Sequence, residues 1–214
     1  MRAKDNSSRA ASVSLSGNTT STPVGVRNEY ADHPEGATGW YRDHGSSYRN
    51  PHTPAVDATM RSAVEHWPEL FGPPGRILDF CCGSGEVTRA LIGLGVDGAR
   101  IDATDPFTHD AFEALCSGRS LLANWTFADV ERGAAQRHRW TTVVCSYAFH
   151  LCEQSRLAGV CLQLAAVADH LVIVTPHKRP ELRETWGFTL HQEVRDTALR
   201  VRLRRFDAVT LSPA

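Results

Sequence analysis

Short apolar runs alternate with helical stretches along most of the chain, and this alternation constrains the fold more than any other feature. Five runs read as strands: RILDF, ARIDATD, WTFADV, TTVVCSY and HLVIVTP. Helical periodicity is found between and before them, at residues 53–67, 86–94, 110–116 and 155–168. Strands that alternate with helices form βαβ units with a parallel sheet covered on both faces. The sequence therefore predicts an α/β, doubly wound fold.

The C-terminal end departs from this rhythm. Residues 186–194 and 200–206 both read as strands, and only residues 195–199 lie between them. No crossover helix fits in that space, so we expect an antiparallel hairpin. The prediction is a mostly parallel sheet of seven strands that ends in this hairpin. Arg200, Arg202 and Arg204 alternate in its last strand. We interpret them as a solvated face near the sheet edge, with a phosphate-binding surface for RNA as the alternative.

Composition changes near residue 26. Residues 1–26 are rich in Ser, Thr, Asn and Arg, and Asp5 is their only acid. We predict that they form a disordered tail, with an organelle transit peptide as the alternative. Residues 27–52 are aromatic and glycine-rich without periodicity, which indicates a lid or pocket segment. Residues 53–208 are predicted to form a single domain, whose first helix has Thr53 as N-cap and Pro54 at its first position.

Charge and hydropathy exclude several classes of protein. The formal net charge is −1, so no overall basic excess indicates nucleic acid as a partner. No apolar run approaches the roughly 20 residues of a membrane span, and we predict no membrane partner. Six cysteines lie mostly in apolar runs, and no signal peptide is recognised. We therefore predict reduced thiols in an intracellular, cytoplasmic protein, with the nucleus or an organelle as alternatives.

The stretch ILDFCCGSGEV contains two adjacent cysteines, Cys81 and Cys82. Structural zinc sites need thiolates about two to four residues apart, usually in two pairs, and this chain has no Cys-x-x-Cys. Adjacent Cα atoms are also too close for an unstrained disulfide. We predict no metal site and interpret the pair as small apolar residues that fill a crowded strand end.

The glycines of the same stretch carry more information. Gly83 and Gly85 follow a strand and open a helix, where a ligand can approach a backbone that has no Cβ. The third glycine of a dinucleotide-binding fingerprint is replaced by Thr88, which disfavours that alternative. Acids stand at the ends of three successive predicted strands: Asp79, Asp105 and Asp129. Because ligands of open α/β sheets bind at these carboxyl ends, the pattern predicts a cofactor site.

These residues resemble motif I of the class I S-adenosylmethionine-dependent methyltransferases, in which a strand and an acid precede Gly-x-Gly-x-Gly. Cys81 stands at the position of the first glycine. Asp105 corresponds to the acid that holds the cofactor ribose, and residues 128–130 resemble the segment that contacts the adenine. The resemblance covers roughly residues 54–206. It implies a Rossmann-like, doubly wound, mostly parallel seven-stranded sheet and S-adenosylmethionine as the cofactor of a methyltransferase domain. The cofactor site that it implies consists of Asp79, Cys81, Gly83, Ser84, Gly85, Asp105, Asp129, Val130 and Ser146.

Candidates for the chemistry follow the fourth and fifth predicted strands. Histidine titrates near neutral pH, so His150 and His177 are candidate bases, and Tyr147 is a third candidate catalytic residue. The alternatives are a packing role for His150 and a solvent-facing loop position for His177. In the resembling family, N-terminal segments often close over the site. The predicted substrate-binding residues are Tyr41, Tyr48, Arg49, Asn50, His52 and Lys178.

The sequence thus predicts methyl transfer from S-adenosylmethionine to a small molecule. The Asn-Pro-Pro-Tyr signature of methylation at adenine N6 is absent after the fourth predicted strand, where Ser146 to Phe149 stand instead. Three alternatives stay open: an RNA or protein acceptor, a catalytically weak subunit that supports a partner, and an oxidoreductase that uses a dinucleotide. The sequence indicates neither the oligomeric state nor the methylated atom.

Overall fold

The computed structural model describes Tyr30 and residues 32–209, and the predicted tail of residues 1–26 lies outside this part. Its centre is a six-stranded sheet in the order β2-β1-β3-β4-β6-β5. The strands are β1 (Ile77–Phe80), β2 (Ile101–Thr104), β3 (Trp140–Ser146), β4 (Ala168–Thr175), β5 (Phe188–Asp196) and β6 (Val201–Ala208). Pairs β1–β2, β1–β3 and β3–β4 are parallel, whereas β4–β6 and β5–β6 are antiparallel. The mostly parallel sheet and its terminal antiparallel hairpin are confirmed.

The predicted third strand is wrong. Residues 125–130 do not join the sheet. A short helix begins at Phe127 instead, because Thr126 and Asp129 form a reciprocal capping box that fixes a helix start. Residues 119–123 lie along the outer edge of β2 instead. Leu122 N–H donates to Ala103 O at 2.8 Å, and Arg119 donates to Ile101 O at 2.9 Å. The described sheet therefore has six strands rather than seven.

Helices cover both faces of the sheet, as the βαβ pattern predicts. They are α1 (Gly36–His44), α2 (Thr53–His66), α3 (Pro68–Phe71), α4 (Glu86–Gly93), α5 (His109–Leu115), α6 (Phe127–Glu131) and α7 (Leu157–Val167). One apolar cluster packs Met60 of α2 and Leu91 of α4 against Val144 and Val172 of the sheet. The other packs Leu164 of α7 against the opposite face. None of the described helices is long and apolar enough to span a membrane.

The arginine-rich strand is not a solvated edge. Strand β6 lies between β4 and β5, and its Arg204 and Arg205 are buried. Arg200 is outside the strand, in the turn before it, with a φ of 55°. Alternation in the sequence correctly placed Arg202 and Arg204 on one face. The strand does lie next to the edge strand β5, but the interpretation as a solvated face is wrong, because the second strand of the hairpin docks against β4 and Arg204 is buried.

Candidate active site

A cavity of about 350 Å³ opens at the carboxyl ends of β1, β2 and β3. Strands of a parallel sheet end at the same edge, so residues far apart in sequence meet there. Eight residues predicted from the sequence line it: Tyr41, Tyr48, Asn50, Cys81, Gly83, Asp105, Ser146 and Tyr147. The structure therefore brings together residues from the N-terminal segment, the glycine turn and two strand ends.

The turn after β1 depends on left-handed backbone at three positions. Cys81, Gly83 and Gly85 have φ values of 57°, 56° and 84°. Residues other than glycine rarely adopt this backbone conformation, which explains why a glycine is usual at the position that Cys81 occupies. A Cβ on Gly85 would lie 2.3 Å from the Sγ of Cys116 and 2.9 Å from Phe112, so this glycine is required by packing as well.

Cys81 and Cys82 both line the cavity, and both thiols are protonated. A hydrogen bond with Cys145 and burial raise the pKa of Cys81, and burial raises the pKa of Cys82. In the part of the chain that the structure describes, no three His, Cys, Asp or Glu side chains come together in an arrangement that could hold a metal ion. The cysteines are therefore neutral parts of the cavity wall.

Asp105 connects the end of β2 to the glycine turn. Its Oδ2 accepts a 3.1 Å hydrogen bond from Gly83 N–H, and its Oδ1 accepts from the N–H groups of Phe107 (2.9 Å) and Thr108 (3.1 Å). Thr108 Oγ1 donates in turn to Gly83 O at 2.7 Å. Burial raises the pKa of Asp105 and exceeds the opposing effect of these backbone donors. The carboxylate is fixed in place at the wall of the cavity.

Asp79 lies beneath the turn rather than in the wall. Its Oδ2 accepts hydrogen bonds from Thr88 N–H (3.0 Å) and Thr88 Oγ1 (2.7 Å). Its Oδ1 is buried and has no hydrogen-bond partner among the described residues. Burial raises the pKa of Asp79 to about 7. Asp79 thus anchors the helix that follows the turn, and Thr88, which replaces the third glycine, is its partner.

Ser84 and Glu86 form a second buried pair at this turn. Ser84 Oγ donates to Glu86 Oε1, and both side chains are almost completely buried. Glu86 also lines the cavity, whereas Ser84 and Gly85 do not. The sequence prediction missed Glu86. Its position as the first residue of a helix at the glycine turn was the signal that could have identified it.

The end of β3 supplies Ser146 and Tyr147. The Ser146 hydroxyl is buried and has no hydrogen-bond partner among the described residues, so a polar ligand atom could satisfy it. Tyr147 has a φ of 55°, and its N–H donates to Val174 O at 2.8 Å. Its ring stacks on His52 with a centroid distance of 4.6 Å and an interplanar angle of 11°. Burial raises the pKa of Tyr147 to about 12 and lowers the pKa of His52.

The N-terminal segment lies against the glycine turn. A Cβ added to Gly83 would lie 3.1 Å from Tyr48 Cε1, so the Tyr48 ring packs directly on the glycine turn. Tyr41 packs on Tyr48 with a centroid distance of 5.3 Å. Burial raises the pKa of Tyr41 to about 12 and raises the pKa of Tyr48 further, so both phenols are neutral hydrogen-bonding groups. Arg49 is exposed and donates to the Tyr48 carbonyl at 2.7 Å.

The two candidate bases lie together beside the cavity. The rings of His150 and His177 meet edge to face with a centroid distance of 4.7 Å. Neither histidine lines the cavity, although Leu151, the next residue after His150, does. Lys178 lines a separate groove under the connection between β4 and β5.

Asp129 and Val130 do not line the cavity. The Asp129 carboxylate accepts from Thr126 N–H (3.0 Å) and Thr126 Oγ1 (2.6 Å), and these bonds lower its pKa. Val130 is buried in the core. The strand that would have placed Asp129 at the site does not form. The residues just before it, Thr126, Phe127 and Ala128, line the cavity instead.

Several cavity residues were not predicted from the sequence. Aromatic side chains form much of the additional wall: Phe107, Trp125 and Phe127. Arg156 and Glu153 lie at the rim and pair with each other at 3.1 Å, and Arg156 also pairs with Glu131. Trp125 and Phe127 lie in the segment that was predicted as a strand, and this wrong prediction gave no reason to place them in the cavity wall.

Comparisons with known proteins agree with this geometry. No family model matches the chain. It is 28% identical over 201 residues to an uncharacterized protein of Schizosaccharomyces pombe, and the match covers 78% of this chain and 80% of that protein. The chain is also similar to the magnesium protoporphyrin IX methyltransferase of Synechocystis PCC 6803, solved with S-adenosylmethionine bound. The TM-score is 0.54 at 17% identity, over 86% of this chain and 95% of the other.

A second solved structure is the N-methyltransferase NodS of Bradyrhizobium japonicum in complex with S-adenosylhomocysteine. It has a TM-score of 0.57 at 14% identity, over 79% of this chain and 97% of NodS. At these identities the likeness concerns the fold. Together with the strand order and the glycine turn between β1 and α4, it gives the conclusion that this chain has the fold of the class I S-adenosylmethionine-dependent methyltransferases.

Proposed function

We propose that this protein transfers a methyl group from S-adenosylmethionine to a small-molecule acceptor. One observation carries the proposal: Asp105 and the glycine turn are hydrogen-bonded to each other and line the same cavity. A buried carboxylate at the end of β2 is fixed 3.1 Å from Gly83 N–H, and both residues line one cavity. A carboxylate in this position accepts hydrogen bonds from ribose hydroxyls. This arrangement favours a ligand that contains a ribose, such as the nucleoside part of S-adenosylmethionine.

The residues of the cavity fit this cofactor. The Tyr48 ring packs over Gly83, where a Cβ would lie 3.1 Å from it, and both residues line the cavity. The Ser146 hydroxyl is available for a polar ligand atom. Phe107, Trp125 and Phe127 offer flat apolar surfaces to a base. When bound, S-adenosylmethionine would supply a methyl group on a sulfonium: the acceptor would bond to the methyl carbon in line with the breaking carbon–sulfur bond, and S-adenosylhomocysteine would leave.

The chain's own contribution is alignment and exclusion of water. Tyr41 and Tyr48 cover the turn with neutral phenols. Tyr147 is protonated at neutral pH, because burial raises its pKa to about 12, and it can therefore donate a hydrogen bond but not act as a base. His52, whose pKa partial burial lowers, is neutral and stacks on Tyr147, but it is exposed and does not line the cavity. It can accept a proton only from an acceptor that reaches past the Tyr147 ring. His150 and His177 stay candidates for the same role, although neither lines the cavity.

Calorimetry with S-adenosylhomocysteine and with NAD tests the cofactor. We expect binding of the former only, and the absence of such binding by the wild-type protein at micromolar concentration would end the proposal. Incubation with a labelled methyl donor and cell extract, fractionated into small molecules, RNA and protein, then tests the acceptor. Label in the small-molecule fraction supports the proposal, and label in RNA or protein replaces that part of it. Binding of S-adenosylhomocysteine without label in any fraction would favour a catalytically weak partner subunit.

A further inference from the structure

A second groove lies on the face of the sheet that α7 covers, under the connection between β4 and β5. Its volume is about 560 Å³. Four cationic side chains and two acidic ones line it: Lys178, Arg195, Arg202, Arg204, Glu181 and Glu193. We call it the arginine groove. Nothing in the candidate active site uses these residues.

Three guanidinium groups in the groove share one carboxylate. Arg195 and Arg202 bind Oε1 of Glu193, the latter at 2.8 Å, and Arg204 binds Oε2 at 2.6 Å. Burial opposes ionisation of Glu193, but hydrogen bonds from Arg204 and Arg195 outweigh it and lower the pKa of the carboxyl. Glu193 is therefore ionised, yet it balances only one of the three positive charges.

The pairing of β5 with β6 makes this excess unfavourable. Glu193 is directly opposite Arg204, but the next pair on the same face places Arg195 directly opposite Arg202. Like charges in directly opposed positions of an antiparallel pair destabilise it. An additional anion between these two arginines would remove the repulsion.

The arginines differ in how many donors they have left. Arg204 is 8% exposed and uses three nitrogens, for Glu193, Pro180 O and Lys178 O. It holds the β4–β5 connection in place. Arg195 and Arg202 each bind Glu193 through one nitrogen, although a guanidinium has five N–H donors. Their remaining donors, with the ammonium of Lys178, can face a ligand in the groove.

We propose that the arginine groove binds the phosphoryl group of a small phosphorylated molecule. Planar guanidinium groups bind phosphate oxygens in pairs and are the preferred donors for this group. Pro180, Leu182 and the half-exposed Leu190 provide apolar wall for the carbon part of such a molecule. This apolar wall beside the guanidinium groups favours a small phosphate ester over a nucleic-acid backbone. The site does not depend on the proposed methyl transfer, because it uses none of the cavity residues.

The groove is connected to the candidate active site through the chain. Lys178 directly follows His177, whose ring contacts His150, and Leu151 beside His150 lines the cavity. Residues 150–151 and 177–178 thus link the wall of the cavity to the wall of the groove.

Thermal unfolding and calorimetry of the full chain with inorganic phosphate test the site. Compared with sodium chloride of equal ionic strength, phosphate is expected to raise the melting temperature, because it binds only the folded state. Arg202→Gln should weaken phosphate binding at least tenfold, and Arg61→Gln, an exposed arginine on α2, should leave it unchanged. Phosphate that stabilises no more than chloride, or that binds Arg202→Gln as well as wild type, would overturn the proposal.

If the arginines only supported the hairpin, the melting temperature of their variants without phosphate would be lower than that of wild type. Arg195 is 64% exposed, and its removal relieves the repulsion with Arg202. Arg195→Gln is therefore expected to melt at the same temperature as wild type or higher, while it loses most of the phosphate-induced shift. A lower melting temperature with an unchanged phosphate shift would mean that the arginines only support the hairpin. Competition against bound phosphate separates the sources: glycerol phosphate should compete better than a short single-stranded RNA per phosphoryl group, and the reverse order would reject a small ester.

Discussion

Asp105 Oδ2 accepts a 3.1 Å hydrogen bond from Gly83 N–H, so the end of β2 and the glycine turn after β1 form one rigid unit. The two residues are 22 positions apart in the sequence, and the parallel pairing of β1 with β2 brings them together. The carboxylate that we propose binds the cofactor ribose is thus held in place by the glycine turn.

Asp105→Asn should weaken binding of S-adenosylhomocysteine by about tenfold or more. Hydrogen bonds to a charged acceptor contribute about 1.5–3 kcal/mol, and the amide replaces one acceptor oxygen by a donor. Calorimetry measures the change. Asp97→Asn is the matched control, because Asp97 is an exposed acid at the opposite end of β2. Equal affinity of Asp105→Asn and wild type would reject the ribose assignment.

Gly85→Ala should destabilise the protein more than Gly95→Ala. Both glycines have positive φ, 84° and 92°, but only at Gly85 would the new Cβ collide with neighbours, the Cys116 Sγ at 2.3 Å among them. We expect a cost of about 1–2 kcal/mol at Gly95 from the backbone alone, and an overpacking cost of about 1–3 kcal/mol in addition at Gly85. Urea unfolding gives both values. Similar losses for the two variants would show that the turn adapts to a side chain.

Asp79→Asn should remove a dependence of stability on pH. The pKa of Asp79 is raised to about 7 by burial, so the folded state binds a proton more tightly than the unfolded state does. The stability that this provides is complete below about pH 4 and is lost as the pH rises through about 7. The melting temperature of wild type should therefore fall relative to Asp79→Asn between about pH 5 and about pH 8. The exposed Asp169→Asn is the control, and parallel pH profiles for wild type and Asp79→Asn would contradict the prediction.

Tyr48→Ala should accelerate dissociation of S-adenosylhomocysteine, whereas Tyr48→Phe should not. The contact with the glycine turn is made by the ring edge, at 3.1 Å from the Cβ position of Gly83, and not by the hydroxyl. Stopped-flow displacement measures the dissociation rate. Ser46→Ala changes an exposed neighbour and serves as the control. If Tyr48→Ala dissociates as slowly as wild type, the N-terminal segment does not cover the cofactor.

Much of the fold could be predicted because local pattern and global arrangement agree. The βαβ alternation and the short link between β5 and β6 identify a mostly parallel sheet with an antiparallel end. The third strand failed because WTFADV has strand-like composition, while Thr126 and Asp129 carry a Thr-x-x-Asp capping signal that decides in favour of a helix. The prediction was wrong because, in this short segment, the reciprocal cap between Thr126 and Asp129 stabilises a helix more than the weak β preference stabilises a strand.

Other features depend on contacts that a sequence pattern does not contain. The packing of Tyr48 on Gly83 follows from the path of the N-terminal segment across the sheet edge. The burial of Arg204 follows from which strand of the hairpin docks against β4. By contrast, the grouping of Asp105 with Gly83 was predictable, because strand ends in parallel sheets are neighbours.

The connection over residues 119–123 links the edge of the sheet to the wall of the cavity. It closes the edge of β2 through the Leu122 and Arg119 hydrogen bonds rather than through a full ladder, and it leads directly into Trp125 and Phe127 of the cavity wall. A connection of this kind can gain or lose residues without a shift in strand register. A change in the length of this connection would therefore move the wall that Trp125 and Phe127 form, while the glycine turn and Asp105 stay fixed by the sheet.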